Sequence, residues 1–238
     1  MTMLGRIAAA LAGIALAVPA MAQEPPKWTG FYMGAHAGYG WGGATTSDDL
    51  KDWCSPGDTA CIAKFVGPFQ YSTSGAFGGV TAGYNIQMGA VVVGVEADGG
   101  WMNIAGHRTS ESSTPVYHQD HDVRGGFYAL PAARVGVAFG QALLYAKGGY
   151  AWIDGKQTQT TTKPGFRTDA SGALNGWAYG GGIEYALHGG WSVKAEYMRL
   201  DLKAINAAQI DVTDGYSFGN HSKLDAVDTV KLGVNVKF

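Results

Sequence analysis

The chain has 238 residues, of which 46% are hydrophobic, 12% aromatic and only 15% charged, with 37 glycines and two cysteines. The charged share is well below the roughly 25% of an average soluble domain, and glycine is about twice as common as usual. Glycine without a Gly-X-Y period excludes collagen, the apolar content excludes wholesale disorder, and about 1 kcal/mol per interior glycine argues against a helical bundle. With 17 Lys and Arg against 19 Asp and Glu there is no basic surplus for nucleic acid. A glycine-rich, aromatic-rich β protein remains.

Residues 1–22 read as an export leader. Arg6 supplies the positive start, Ile7 to Val18 is an uncharged apolar run, and Ala20-Met21-Ala22 gives the small-x-small cleavage pattern. The run is shorter than the ~20 residues of a spanning helix. Cleavage is expected after Ala22, with residues 23–238 as the exported domain. Export places Cys54 and Cys61 in an oxidising compartment, where they read as a disulfide closing a small loop. Zinc is the rival, poorly served by two thiols with no histidine in the next twenty residues.

Downstream the chain alternates with period two, the signature of strands with two different faces. Eight such runs occur: Phe31–Trp41, Ala76–Ile86, Val91–Ala97, Phe127–Phe139, Leu144–Trp152, Trp177–Leu187, Trp191–Tyr197 and Ala226–Phe238. Short connections at Gln87-Met88-Gly89, Gly140-Gln141 and His188-Gly189-Gly190 alternate with long polar ones at about 44–73, 102–124, 154–173 and 200–225. That alternation predicts an all-β fold: an eight-stranded antiparallel transmembrane β-barrel with tight periplasmic turns and four long external loops. Pro131 cannot donate to a ladder, so a bulge is expected there.

The faces separate by charge. Glu96, Asp98, Arg134, Lys147, Glu184, Lys194, Glu196, Lys231 and Lys237 share the gap positions with Thr81, Asn85 and Asn235. A lipid-facing Arg or Lys at the bilayer midplane costs about 2–4 kcal/mol, so these side chains point inward and form a polar network bracing the lumen. Asp228 and Arg199 are exceptions on the other face, near the rim. Trp28, Tyr32, Trp41, Trp101, Trp152, Trp177 and Trp191 are assigned to the two interfaces as anchors.

Chemistry-bearing motifs are few. Gly38 to Gly43 lies within a strand, not between a strand and a helix, and is no phosphate loop. His118 and His121, with Tyr117, Asp120 and Asp122 and with His107 upstream, are weak candidates for haem or metal in an external loop. His36, Ser74 and Ser192 do not form an evident hydrolytic set. No enzymatic activity and no cofactor are expected.

Trp28-Thr29-Gly30-Phe31-Tyr32-Met33-Gly34 followed by Gly38-Tyr39-Gly40-Trp41-Gly42 resembles the opening strand of the small alphaproteobacterial outer-membrane immunogenic proteins, often labelled "porin family". Arg134-Val135-Gly136, Tyr145 to Tyr150, Gly180 to Tyr185, Val193 to Tyr197 and Val230 to Phe238 are similar to later strands of that family. The resemblance implies an eight-stranded barrel in the outer membrane with a structural or surface-antigen role. Some relatives bind haem. The terminal Phe238, with Val236 and Val234 behind it, resembles the signal read by barrel-assembly machinery. The pair Cys54 and Cys61 has no match in the general family pattern. A monomer is expected, contacting outer-membrane lipid and lipopolysaccharide; the alternatives are a narrow solute pore or a haem-binding surface protein.

Overall fold

Alternation builds strands where one face meets lipid and the other a filled interior, and the computed structural model arranges them in a ring. It describes residues 28–48, 59, 69–113, 116–161, 167–202, 205–210 and 217–238. The strands are β1 (Gly30–Asp48), β2 (Phe69–Met88), β3 (Val91–Met102), β4 (Ala105–Ser113), β5 (Val116–Phe139), β6 (Ala142–Thr161), β7 (Arg167–Ala186), β8 (Trp191–Leu202), β9 (Ile205–Ile210) and β10 (Ser217–Lys237). β4 continues the stave begun by β3, and β9 continues that of β8, so ten segments make eight staves. Neighbours pair antiparallel in the order β1-β10-β8-β7-β6-β5-β3-β2, and β2 pairs back onto β1. The sheet is closed and leaves no free edge among these staves.

The register fixes the shape. Starting at Phe31, successive cross-strand partners are Tyr84, Val95, Ala133, Gly148, Tyr179, Arg199 and Asp228, and the row returns to β1 at Trp41. The return lies ten residues above the start. Eight staves sheared by that amount, at ~3.3 Å per residue and ~4.8 Å between strands, tilt about 40° from the barrel axis. A ring of this size leaves room inside for side chains alone.

Two turns lie at Gly89-Ala90 and Gly140-Gln141, and β7 joins β8 through a short 3₁₀ turn at His188–Gly190. Gly89 (φ 62°) and Gly140 (φ 57°) hold the first central position with positive φ, as type II′ hairpins require. The first turn therefore lies one to two residues beyond the expected Gln87-Met88-Gly89, two of which end β2.

The four long connections are shorter than expected. β4 pairs with β5 from Ala105–Arg124 to Ser113–Val116, β6 pairs with β7 up to Thr160–Arg167, and β9 pairs with β10. Most of 102–124, 154–173 and 200–225 is thus strand continuing past the hydrophobic band. Pro131 causes no bulge. It sits outward beside Ala97 of β3, and the β5–β6 register is the same on both sides of it. The missing N–H interrupts pairing locally, while the ladder to β3 holds the strand in register. The shift in β5 falls between Gly125 and Tyr128 instead, and a second shift lies between Gly42 and Ala44 of β1.

Candidate functional site

Inward positions build three layers in the lumen. At the turn end Trp28, Val92, Leu143 and Tyr145 form an apolar cluster, packed by Ala138 and Ala186. The Trp28 backbone N–H donates to Gln87 Oε1 (2.7 Å), and the Gln87 N–H donates to Thr29 Oγ1 (2.9 Å), tying the chain's entry to the first turn. Toward the opposite end a second apolar layer packs Phe77, Met102, Ile104, Ile153, Leu174 and Leu202 against their neighbours.

Between them lies the ionic layer. Lys147 Nζ donates to Glu96 (2.5 Å), Asp98 (2.6 Å) and Glu196 (3.2 Å). Lys194 adds a bond to Glu96 (2.9 Å), and Lys231 bridges Asp98 and Glu196 (2.7 Å each). Arg134 Nη1 donates to Glu184 (2.9 Å) and Glu96 (3.3 Å), and Nε to Asn85 (2.9 Å). Its guanidinium carbon sits 4.6 Å from the Tyr32 ring centre and 5.1 Å from that of Tyr145, a double cation–π contact. The hydroxyls of Tyr32 and Tyr145 donate to Glu96 (2.8 Å) and Glu196 (2.9 Å). Ser192 and Asn235 donate to Glu184. Four bases and four acids, each with a side chain 0–5% exposed, thus cancel inside the barrel.

Glycine makes this layer possible. A Cβ on Gly83 would stand 2.2 Å from the Tyr32 hydroxyl, and one on Gly182 would stand 2.8 Å from that of Tyr145. The carboxylate oxygens of Glu96, Asp98 and Glu196 lie within 4.8 Å of one another, a spacing that suits a cation. Lys147 touches all three, so a metal ion would have to displace a buried ammonium. The donor set does not favour a metal.

His36 contacts Thr81 Oγ1 (2.9 Å) and the Tyr128 hydroxyl, and Thr81 donates to Asp98 (2.5 Å). Ser192 is engaged with Glu184, while Ser74 lies exposed on β2 opposite Ala105. His36 and these two serines therefore belong to separate environments. Cys54 and Cys61, residues 1–22, and the side chains of His107, Tyr117, His118, Asp120, His121 and Asp122 lie outside the described residues.

Two aromatic assignments are corrected. Trp28 and Tyr32 are buried in the lumen (5% exposed each) and do not anchor at an interface. Tyr32 shares its parity with His36 and Gly34, so its position in the alternation, and not its aromatic identity, decides where it points. Trp101, Trp152, Trp177 and Trp191 are exposed, and Trp41 is half-buried. Tyr150 packs edge-on against Trp152 and Trp177 (4.9 and 5.5 Å between centroids). On the same outer surface Arg199 donates to Asp228 (3.1 Å), which also accepts from the Tyr197 hydroxyl (2.7 Å). The second apolar lumen layer was legible in parity alone: Met102 and Ile104 continue the inward series of Glu96 and Asp98.

Against known proteins, the outer membrane protein beta-barrel domain model matches residues 8–238. The chain belongs to that family. It is 30% identical to the 31 kDa outer-membrane immunogenic protein of Brucella melitensis, over 99% of this chain and 98% of that protein. It is 28% identical to the 22 kDa outer membrane protein of Rhizobium leguminosarum bv. viciae, over 91% and 83% respectively. Its fold is similar to that of the outer membrane protein OprG from Pseudomonas aeruginosa, with a TM-score of 0.55 at 12% identity, covering 89% of this chain and 97% of that one. As a member of the outer-membrane barrel family, with relatives named as immunogenic proteins, the chain resides in the cell outer membrane.

Proposed function

We propose that this barrel is a non-catalytic structural protein of the outer membrane. It braces the envelope and carries paired strands beyond the membrane as a surface antigen. The observation that carries the reading is the ionic layer: eight mutually neutralising charges fill the lumen at its middle and leave each acid engaged by a base. A catalytic carboxylate needs access to a substrate, and these have none. The antigen names of the relatives support the same reading. Its partners are then outer-membrane lipid and lipopolysaccharide around a single barrel, and barrel-assembly machinery that reads Phe238.

Single-channel recording on the refolded barrel in a planar bilayer tests this. Protein whose folding is verified by a heat-modifiable gel shift is expected to stay silent. Steady, reproducible openings would instead make the inward charges the lining of a narrow solute path and overturn the filled-lumen reading.

A further inference from the structure

The two apolar layers of the lumen are not equivalent. The one away from the short turns is a complete septum. Phe77, Met102, Tyr128, Ile153, Leu174 and Leu202 reach into it from β2, β3, β5, β6, β7 and β8, and Val227 reaches in from β10. β1 closes the ring with glycine: a Cβ on Gly38 would stand 2.5 Å from the Phe77 ring, and one on Gly40 would stand 2.6 Å from Ile104 Cδ1. The side chains therefore fill the bore out to the β1 backbone. Met198, Leu200 and Leu202 set the depth of the layer along β8, about 10 Å at ~3.3 Å per residue and a tilt of about 40°. Phe77 meets Tyr128 edge-on (6.0 Å between centroids), and the Tyr128 hydroxyl contacts His36, which places its polar end on the ionic side.

Water has no foothold in this layer. Its cavity measures about 20 Å³, room for one water molecule. A buried water needs about three polar partners. The side chains lining the cavity offer one hydroxyl, Thr73 Oγ1, which is buried and finds no hydrogen-bond partner among the described residues. The turn end is different. There a cavity of about 170 Å³ begins at Leu187, Gly190 and Trp191 and runs in to Tyr32, Asn85, Glu184 and Ser192. It has room for several waters and polar groups to hold them. Glu184 joins this cavity to the ionic layer through Arg134 (2.9 Å).

The ionic layer is also the poorer barrier. An ion entering it meets counter-charges that can exchange partners, since Lys147 and Lys231 are already shared among Glu96, Asp98 and Glu196. An ion entering the septum gives up its hydration and receives nothing in return. We propose that the apolar septum, and not the ionic layer, is the seal that keeps the barrel impermeable to ions and polar solutes, and that water reaches the ionic layer from the turn end alone. The inference rests on the filled-lumen reading and names the layer that enforces it.

Planar-bilayer recording on three refolded barrels tests this, each verified by its heat-modifiable gel shift. Leu174→Ser with Leu202→Ser enlarges the septum cavity and sets two hydroxyls beside Thr73; steady openings are expected. Arg134→Gln with Glu184→Gln removes one base and one acid, leaves the ionic layer balanced, and is expected to stay as silent as the unaltered barrel. Openings from the unaltered barrel would defeat the filled-lumen reading itself. With that barrel silent, a silent septum variant or a conducting ionic-layer variant would overturn the proposal. Thiol access gives a readout that survives failure of either variant to fold. In a Cys54→Ser and Cys61→Ser background, Ser192→Cys in the turn-end cavity is expected to react with 2-aminoethyl methanethiosulfonate at least about tenfold faster than Thr73→Cys in the septum. Comparable rates would overturn the proposal.

Discussion

Lys147 sits where three carboxylates converge, and removing it shows what a buried ion network costs when broken. The Lys147→Met variant would leave Glu96, Asp98 and Glu196 facing one another at 0–1% side-chain exposure without their shared ammonium. Breaking a buried pair by deleting one partner costs about 3–5 kcal/mol. A matching loss in urea midpoint, followed by the gel shift in lipid, is expected; a loss below about 1 kcal/mol would mean that water or Lys194 and Lys231 take over. Gly83→Ala probes the other side of the same design. The added Cβ would fall 2.2 Å from the Tyr32 hydroxyl and 2.7 Å from the Val95 carbonyl oxygen. Overpacking of this kind costs about 1–3 kcal/mol. Tyr32→Ala in the same chain should recover only the part due to the side chain, since the backbone contact persists. At this scale the charged positions were readable because lipid forbids charge on one face, so parity and chemistry agreed. Trp28 and Tyr32 were misread because an aromatic ring fits either face, and only parity distinguishes them.

At the scale of the element, the eight membrane-spanning runs were legible but their ends were not. Alternation is visible only where the two faces meet different surroundings. Beyond the hydrophobic band both faces of a stave meet polar surroundings, and the sequences of residues 105–113, 116–123 and 156–161 show no apolar period, although their backbones pair. β5 has 24 residues, about 80 Å of strand at ~3.3 Å per residue, whereas a tilted crossing needs only about 9–11. Hydrogen exchange by mass spectrometry checks this extension. Amides of 119–123, flanked by β4 and β6, are expected to exchange much more slowly than those of an open loop; full exchange within seconds would show that the ladder ends near Arg124. The hairpin turns give a second test. Gly140 has positive φ and open space around its Cβ position, so Gly140→Ala isolates the backbone term. A destabilisation of about 1–2 kcal/mol is expected in urea unfolding, from the steric cost of positive φ for an L-residue.

For the whole molecule, closure joins the two ends of the chain. β10 completes the ring against β1, paired from Tyr32–Lys237 to Asp48–Asn220 with one register shift between Gly42 and Ala44, so no barrel exists until the last strand is in place. Phe238 stands just past that seam. The residue is 75% exposed, and its N–H donates to the Phe31 carbonyl oxygen (2.9 Å). Little of the folded barrel's stability depends on this residue: one peripheral hydrogen bond is worth about 0.5–1.5 kcal/mol. Truncation of Phe238 therefore separates stability from assembly. The truncated mature chain, refolded into detergent or lipid, is expected to lie within about 1.5 kcal/mol of the full chain in urea titration. In cells the same truncation should sharply lower the amount of heat-modifiable barrel in the outer membrane, because the exposed residue is then available to the machinery that seats the closing strand. Equal amounts in the membrane would remove Phe238 from assembly. A large loss of stability in the refolded protein would place its contribution at the β1–β10 seam itself.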